Sequence, residues 1–343
     1  MEEDVSLLVI YTGGTIGMIV NSTTGALEPF NFENLYNQLP MLQNYKYNID
    51  FHSFDPLIDS SDVTPEFWCN LAQVIEKHYE KYDGFIILHG TDTMAYSASA
   101  LSFMLENLNK PVIFTGSQLP LGMLRSDGRE NFLSSIEIAA AQQDDTPMVP
   151  EVAIYFEDSL FRGNRTTKLN SENFDAFFSG NYPTLADVGI SVKYNTQNIL
   201  KPNFKKLKVS YHLDKNVAVL RLFPGIQQKY VENILNTDGL KGVVLETYGS
   251  GNAMSSEWFL KILKKSIDSG VVVLNVTQCL RGSVIMSKYR AGLQLAEIGV
   301  VSGNDITFES AVAKMMYLFA KGLSADEVKK LMTVSLRGEI SQL

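Results

Sequence analysis

Three short polar clusters stand where apolar runs end: Thr12-Gly13-Gly14-Thr15, Asp59-Ser60-Ser61 and His89-Gly90-Thr91-Asp92-Thr93. In the first and third, threonine sits beside glycine directly after a run rich in Val, Ile and Leu. Such clusters offer hydroxyls, a carboxylate and backbone N–H groups, and glycine lets the backbone approach a ligand closely at positive φ. Acyl chemistry, if present, would have to run on threonine, since no Gly-x-Ser-x-Gly elbow occurs and no histidine stands in an obvious triad role. A threonine hydroxyl is a weak nucleophile and needs a base or a charge network beside it. Asp92 alone does not supply one, because carboxyl groups titrate near pH 4. A lysine near Thr91 and Asp92 would favour the alkoxide, and Lys168, which closes the run Arg165-Thr166-Thr167-Lys168, is the candidate. Each residue also has a plainer reading: hydroxyls satisfied by local backbone, Asp92 as a helix N-cap, and Lys168 as an exposed loop lysine.

Other chemistries find no support. G-x-G-x-x-G fails because Thr12 stands two positions before Gly14, and neither G-x-x-x-x-G-K-[ST] nor Gly-x-Ser-x-Gly occurs. The four histidines, His52, His78, His89 and His212, show no paired ligand spacing. Cys69 and Cys279 are far apart and match no metal or redox motif. Neither a metal nor a cofactor is expected. A net charge of −9 argues against a nucleic-acid footprint. No apolar stretch is long enough to span a bilayer, and the acidic start, Met1-Glu2-Glu3-Asp4, lacks a basic n-region. A cytoplasmic chain is expected, with no membrane partner.

The elements that must carry these clusters alternate between strand and helix. Val5–Tyr11, 49–54, Phe85–Leu88, 111–114 and Val152–Phe156 read as strands. Helices are expected over 64–78, 94–108 and 128–141, with a polar loop over 161–168. βαβ units imply parallel strands, and open parallel sheets bind ligands at the carboxyl ends of their strands, where the clusters lie. With 343 residues, two domains are expected: a catalytic α/β domain over 1–192, an aperiodic linker over 193–213, and a smaller α/β domain over 214–343. In the second, strands are expected at 217–223, 242–247 and 271–276. The segment 18–29 reads as a mobile loop beside the first glycine turn.

Thr12-Gly13-Gly14-Thr15-Ile16-Gly17 together with His89-Gly90-Thr91-Asp92-Thr93-Met94 closely resembles the paired motifs of bacterial-type L-asparaginases, and the flanking stretches resemble the cytoplasmic type I branch. The resemblance extends in order through 101–108, 110–118, 162–168, 249–252 and 275–279. It implies a larger N-terminal domain with a mainly parallel, flavodoxin-like sheet flanked by helices, and a smaller Rossmann-like C-terminal domain. It also implies cofactor-free hydrolysis of L-asparagine to L-aspartate and ammonia, with possible minor glutaminase activity. Carried over residue by residue, Thr15 is the acylating nucleophile, and Thr91, Asp92 and Lys168 form the second catalytic set. Asp59, Ser60 and Ser61 would bind substrate together with Thr91 and Asp92, and Asn252 would complete a site across a subunit interface. A homodimer or homotetramer is implied.

Two positions depart from the family pattern. Relatives commonly carry a lid tyrosine in a Gly-Tyr-x-Pro context, where this chain has Gly25-Ala26-Leu27-Glu28-Pro29. An effector site of type I enzymes uses an arginine where Glu246 stands here, so effector control in that form is not expected. Two other classes of function compete: a non-catalytic amino-acid sensor, and an enzyme acting on a related amide such as glutamine.

Overall fold

The structure, a computed structural model, describes residues 5–20, 27–29, 47–121, 123 and 125–341. It divides into two compact units, Met1–Tyr211 and His212–Leu343. In the first, the strands are β1 (Val5–Tyr11), β2 (Tyr47–Ser53), β3 (Gly84–Leu88), β4 (Val112–Thr115), β5 (Val152–Phe156), β6 (Ser159–Arg162), β7 (Ala186–Val188) and β8 (Val192–Tyr194). Among the described residues these form one sheet in the order β8-β7-β6-β5-β4-β3-β1-β2. From β2 to β5 every pairing is parallel. The order 2-1-3-4-5 is that of a flavodoxin-like sheet, whose switch point lies between β1 and β3.

β3 is buried along its whole length, which is why it reads as a continuous apolar run. Helix α1 (Pro65–His78) buries Phe67, Trp68, Leu71, Ala72 and Ile75, one stripe at helical spacing. Helix α2 (Met94–Met104) is buried almost all round by Ala, Ser, Leu, Met and Phe, so it carries no amphipathic signal. Helix α3 (Gly128–Ala140) packs Phe132, Ile136 and Ala139 into the core with Leu7, Val9 and Ile86.

Three expectations differ from the structure. The helix expected over 94–108 ends at Met104, because Leu105–Glu106 pairs antiparallel with Lys208–Val209. The polar stretch 161–168 begins in strand β6, which with β7 and β8 extends the sheet antiparallel. Parts of 193–213, expected as a linker, are hydrogen-bonded within the first unit: β8 pairs with β7, and Asn109 Oδ1 accepts from the backbone N–H groups of Asn203 and Phe204.

In the second unit, β9 (Val217–Arg221), β10 (Gly242–Thr247), β11 (Val272–Thr277) and β12 (Val301–Ser302) form a parallel sheet of four among the described residues. Helices flank it in sequence: α4 (Gln228–Leu235), α5 (Glu257–Asp268), α6 (Arg290–Glu297), α7 (Phe308–Ala320) and α8 (Ala325–Met332). Its chain end is tied down by Lys314 and Glu339, fully buried and 2.6 Å apart. No helix among the described residues is long and apolar enough to cross a membrane.

Candidate active site

At the switch point, β1 delivers Thr12-Gly13-Gly14-Thr15 and β3 delivers His89-Gly90-Thr91-Asp92. Both strands end facing the turn Ile58-Asp59-Ser60. These segments meet backbone to backbone. The Ile58 N–H donates to the Thr12 carbonyl at 2.9 Å, and the Thr12 N–H donates to the Leu88 carbonyl at 3.1 Å. Glycine is required by contact as much as by φ. A Cβ on Gly14 (φ +88°) would lie 2.5 Å from the Gly90 nitrogen, and one on Gly90 would lie 2.5 Å from Ser60 Oγ. The result is a cavity of about 270 Å³ lined by Gly13, Gly14, Thr15, Met18, Leu57, Ile58, Asp59, Ser60, Gly90, Thr91 and Asp92.

The two threonines that flank the glycine pair separate here. Thr12 is buried, and its hydroxyl donates to the Leu88 carbonyl at 2.9 Å, so the plain structural reading holds for it. Thr15 opens a short 3-10 turn, Thr15–Gly17, and presents its side chain to the cavity. Thr15 Oγ has no hydrogen-bond partner among the described residues.

Lys168 comes from 76 positions beyond Asp92 in the chain. Its Nζ donates to Thr91 Oγ at 2.8 Å and to Asp92 Oδ1 at 2.7 Å. The lysine is mostly buried, with a side chain 18% exposed, whereas the Asp92 side chain is 64% exposed. Asp92 is not the N-cap of α2. That position is Thr93, and its hydroxyl instead donates to the Ser60 carbonyl at 2.6 Å. Helix α2 positions both halves of this set. Its first turn follows Thr91-Asp92-Thr93. Its flank takes the Gly163-Asn164-Arg165 turn, where Asn164 Nδ2 reaches Ser102 Oγ at 3.1 Å. Thr166 Oγ then donates to the Arg162 carbonyl, and Thr167–Lys168 pairs with Phe177–Phe178.

The Asp59 carboxylate accepts from both the N–H and the hydroxyl of Ser61, each at 2.8 Å. These bonds favour the ionised form and hold its carboxyl below the usual range. Asp59 and Ser60 line the cavity, while Ser61 touches it only through Asp59. Two carboxylates, Asp59 and Asp92, therefore face a space also lined by three hydroxyl residues, Thr15, Ser60 and Thr91. Such an arrangement suits an ammonium-bearing ligand with an electrophilic carbon at the far end.

Asn252 belongs to the second unit. It closes a tight turn in which Tyr248 and Asn252 exchange backbone hydrogen bonds of 2.9 and 2.8 Å. Thr247 Oγ donates to Asn275 Oδ1 at 2.6 Å, and Asn275 Nδ2 donates to the Gly251 carbonyl at 3.1 Å. Sequence reading passed over this buried pair. Glu246 lies against Arg221, 3.3 Å away, and burial raises its carboxyl pKa. Of the segment 18–29, Met18–Val20 pairs antiparallel with Leu27–Pro29. Residues 21–26, where the lid tyrosine is missed, lie outside the described residues. Among the described residues no three His, Cys, Asp or Glu side chains converge as a metal site would require.

The family description "Asparaginase, N-terminal" matches residues 6–200, and "Glutaminase/Asparaginase C-terminal domain" matches residues 216–332. The chain is 43% identical to L-asparaginase 1 of Escherichia coli (strain K12) over 98% of both chains. It is 42% identical to a Mus musculus protein named 60 kDa lysophospholipase, over 98% of this chain and 62% of that protein. The crystal structure of L-asparaginase I from Vibrio cholerae superposes with a TM-score of 0.89 at 41% identity, covering 99% of this chain and all of that one. Matched by the family over both its units, the chain belongs to the asparaginases.

Proposed function

We propose that the protein hydrolyses L-asparagine to L-aspartate and ammonia through an acyl-enzyme on Thr15. The observation that carries this reading is Lys168 bridging Thr91 and Asp92 at the rim of the cavity that Thr15 lines. The α-ammonium of asparagine pairs with Asp59 and Asp92, and the Ser60 hydroxyl meets the α-carboxylate. This leaves the side-chain amide beside Thr15. Thr15 Oγ attacks the amide carbon, its proton passes to the departing nitrogen, and ammonia leaves an ester behind. Lys168 polarises Thr91, which directs water onto that ester, releasing aspartate and restoring the Thr15 hydroxyl. Bonds are made and broken with proton movement alone, so no cofactor is required.

The backbone N–H of Thr91 is the oxyanion donor, and losing one such donor typically costs about 10²- to 10³-fold in turnover. Glutamine is the competing substrate, since one methylene is worth roughly 10- to 200-fold in a pocket. The working form is a cytoplasmic homodimer or homotetramer in which Asn252 serves a neighbouring subunit's site. The deciding experiment is ammonia release by the purified protein with asparagine and glutamine side by side. Faster release from asparagine is expected, and no ammonia from either would overturn the assignment. Binding of asparagine by calorimetry without product over hours would identify a sensor instead.

A further inference from the structure

Directly behind Thr91 lies a buried polar chain that the reaction as described does not use. His89, 1% exposed, directly follows β3, and its ring stands edge-on to Phe67 and Phe114. Its Nδ1 is 2.7 Å from the Gly90 carbonyl oxygen. Its Nε2 is 3.0 Å from Ser97 Oγ on α2, and Trp68 Nε1 on α1 is 2.9 Å from the same oxygen.

The donor inventory fixes the direction of every bond in this chain. An indole N–H only donates, so Ser97 Oγ accepts from Trp68. A carbonyl oxygen only accepts, so the Gly90 oxygen takes its hydrogen bond from a protonated Nδ1. A neutral imidazole carries a single ring proton, so Nε2 is bare and accepts from the Ser97 hydroxyl. Burial keeps the ring neutral, with its pKa pushed down to about 4.

The Gly90 carbonyl and the Thr91 N–H belong to one trans peptide unit, where they point in opposite directions. Anchoring the carbonyl to His89 therefore aims the N–H the other way. No oxygen of the described residues accepts the Thr91 N–H. The geometry points to His89 as a positioning residue: its ring held by Ser97 and Trp68, its Nδ1–H donating to the Gly90 carbonyl, it locks the Gly90–Thr91 peptide so that the Thr91 N–H faces the developing oxyanion. This rests on the asparaginase reading for its kinetic consequence, but the tautomer does not depend on it.

Two measurements test it. With ¹⁵N-labelled histidine, a long-range ¹H–¹⁵N correlation at pH 7, assigned by the signal missing in His89→Asn, should show His89 protonated at Nδ1 and bare at Nε2. A proton on Nε2 overturns the proposal whatever the enzyme does. In the ammonia assay, His89→Leu should lower kcat about 10²- to 10³-fold, the worth of one oxyanion donor, with KM within threefold. His89→Asn, whose amide nitrogen stands at the same bond count from Cα as Nδ1, should stay within tenfold of wild type. Equal losses in the two variants at matched melting temperature would refute the positioning role. Should the leucine variant fail to fold, the ring-nitrogen spectrum of the wild type decides. A wild type that releases no ammonia overturns the proposed function and leaves the spectrum to judge the tautomer.

Discussion

Replacing Lys168 with methionine separates catalysis from stability more cleanly than any other change at the site. The lysine makes two bonds of similar length, yet their surroundings differ. Its partner Asp92 is 64% exposed, so water competes for that ion pair, and exposed pairs contribute about 0–1 kcal/mol. In a unit of this size 1 kcal/mol moves Tm by about 2–4 °C, which sets the ceiling on the stability loss. Thr91 Oγ, by contrast, is largely buried and depends on Nζ at 2.8 Å for its polarisation. General acid–base assistance of this kind is worth about 10²- to 10⁴-fold, or roughly 3–5 kcal/mol of barrier. Lys168→Met should therefore lose at least 100-fold in kcat while melting within about 4 °C of wild type. Steady-state ammonia release and thermal unfolding on the same preparation measure both. Turnover within threefold of wild type would refute the role assigned to Lys168. A melting temperature lowered by 10 °C would refute the argument from exposure.

Thr15→Ala should abolish ammonia release with Tm within about 2 °C, as expected where a side chain makes no structural bond, whereas Thr12→Val should keep measurable turnover and lose about 1 kcal/mol with its bond to Leu88. Comparing urea midpoints with single-turnover rates distinguishes the two. Gly14→Ala puts a methyl 2.5 Å from the Gly90 nitrogen at φ +88°. It should cost about 1–3 kcal/mol in backbone strain and on the order of 100-fold in kcat through displacement of the opposing loop, read by the same two assays. The low pKa of His89 makes a pH prediction. The unfolded histidine, near 6.5, binds its proton before the folded one, near 4, so stability is present above pH 6.5 and falls as pH drops toward 4. Between pH 7 and pH 5 the wild type should lose about 2 kcal/mol that His89→Asn does not lose, measured by urea unfolding of both proteins.

Much of the frame was legible because parallel strands buried on both faces are written as plain apolar runs. Val5–Tyr11, Gly84–Leu88, Val112–Thr115 and Val152–Phe156 all announce themselves this way. The antiparallel edge did not, because β6 to β8 are short and half-polar, and their pairing is set by partners up to 28 positions away. The early end of α2 was equally hidden: Leu105–Glu106 is drawn off the helix by Lys208–Val209, a contact no local window contains.

Within the site, residue type was legible and hydrogen-bond assignment was not. Thr12 and Thr15 are the same residue on either side of a glycine pair, and only the position of the Leu88 carbonyl decides which hydroxyl stays free. Ser61 follows Ser60 directly, yet one faces the cavity and the other turns onto Asp59. The Trp68–Ser97–His89 chain joins residues 29 and 8 positions apart on three different elements. None of the three carries a motif by itself. Their chain exists only once β3, α1 and α2 pack, while the Gly90 carbonyl, which can only accept, sets the proton on His89. A sequence names the donors and acceptors of such a chain, but the direction in which protons point along it is a property of the fold.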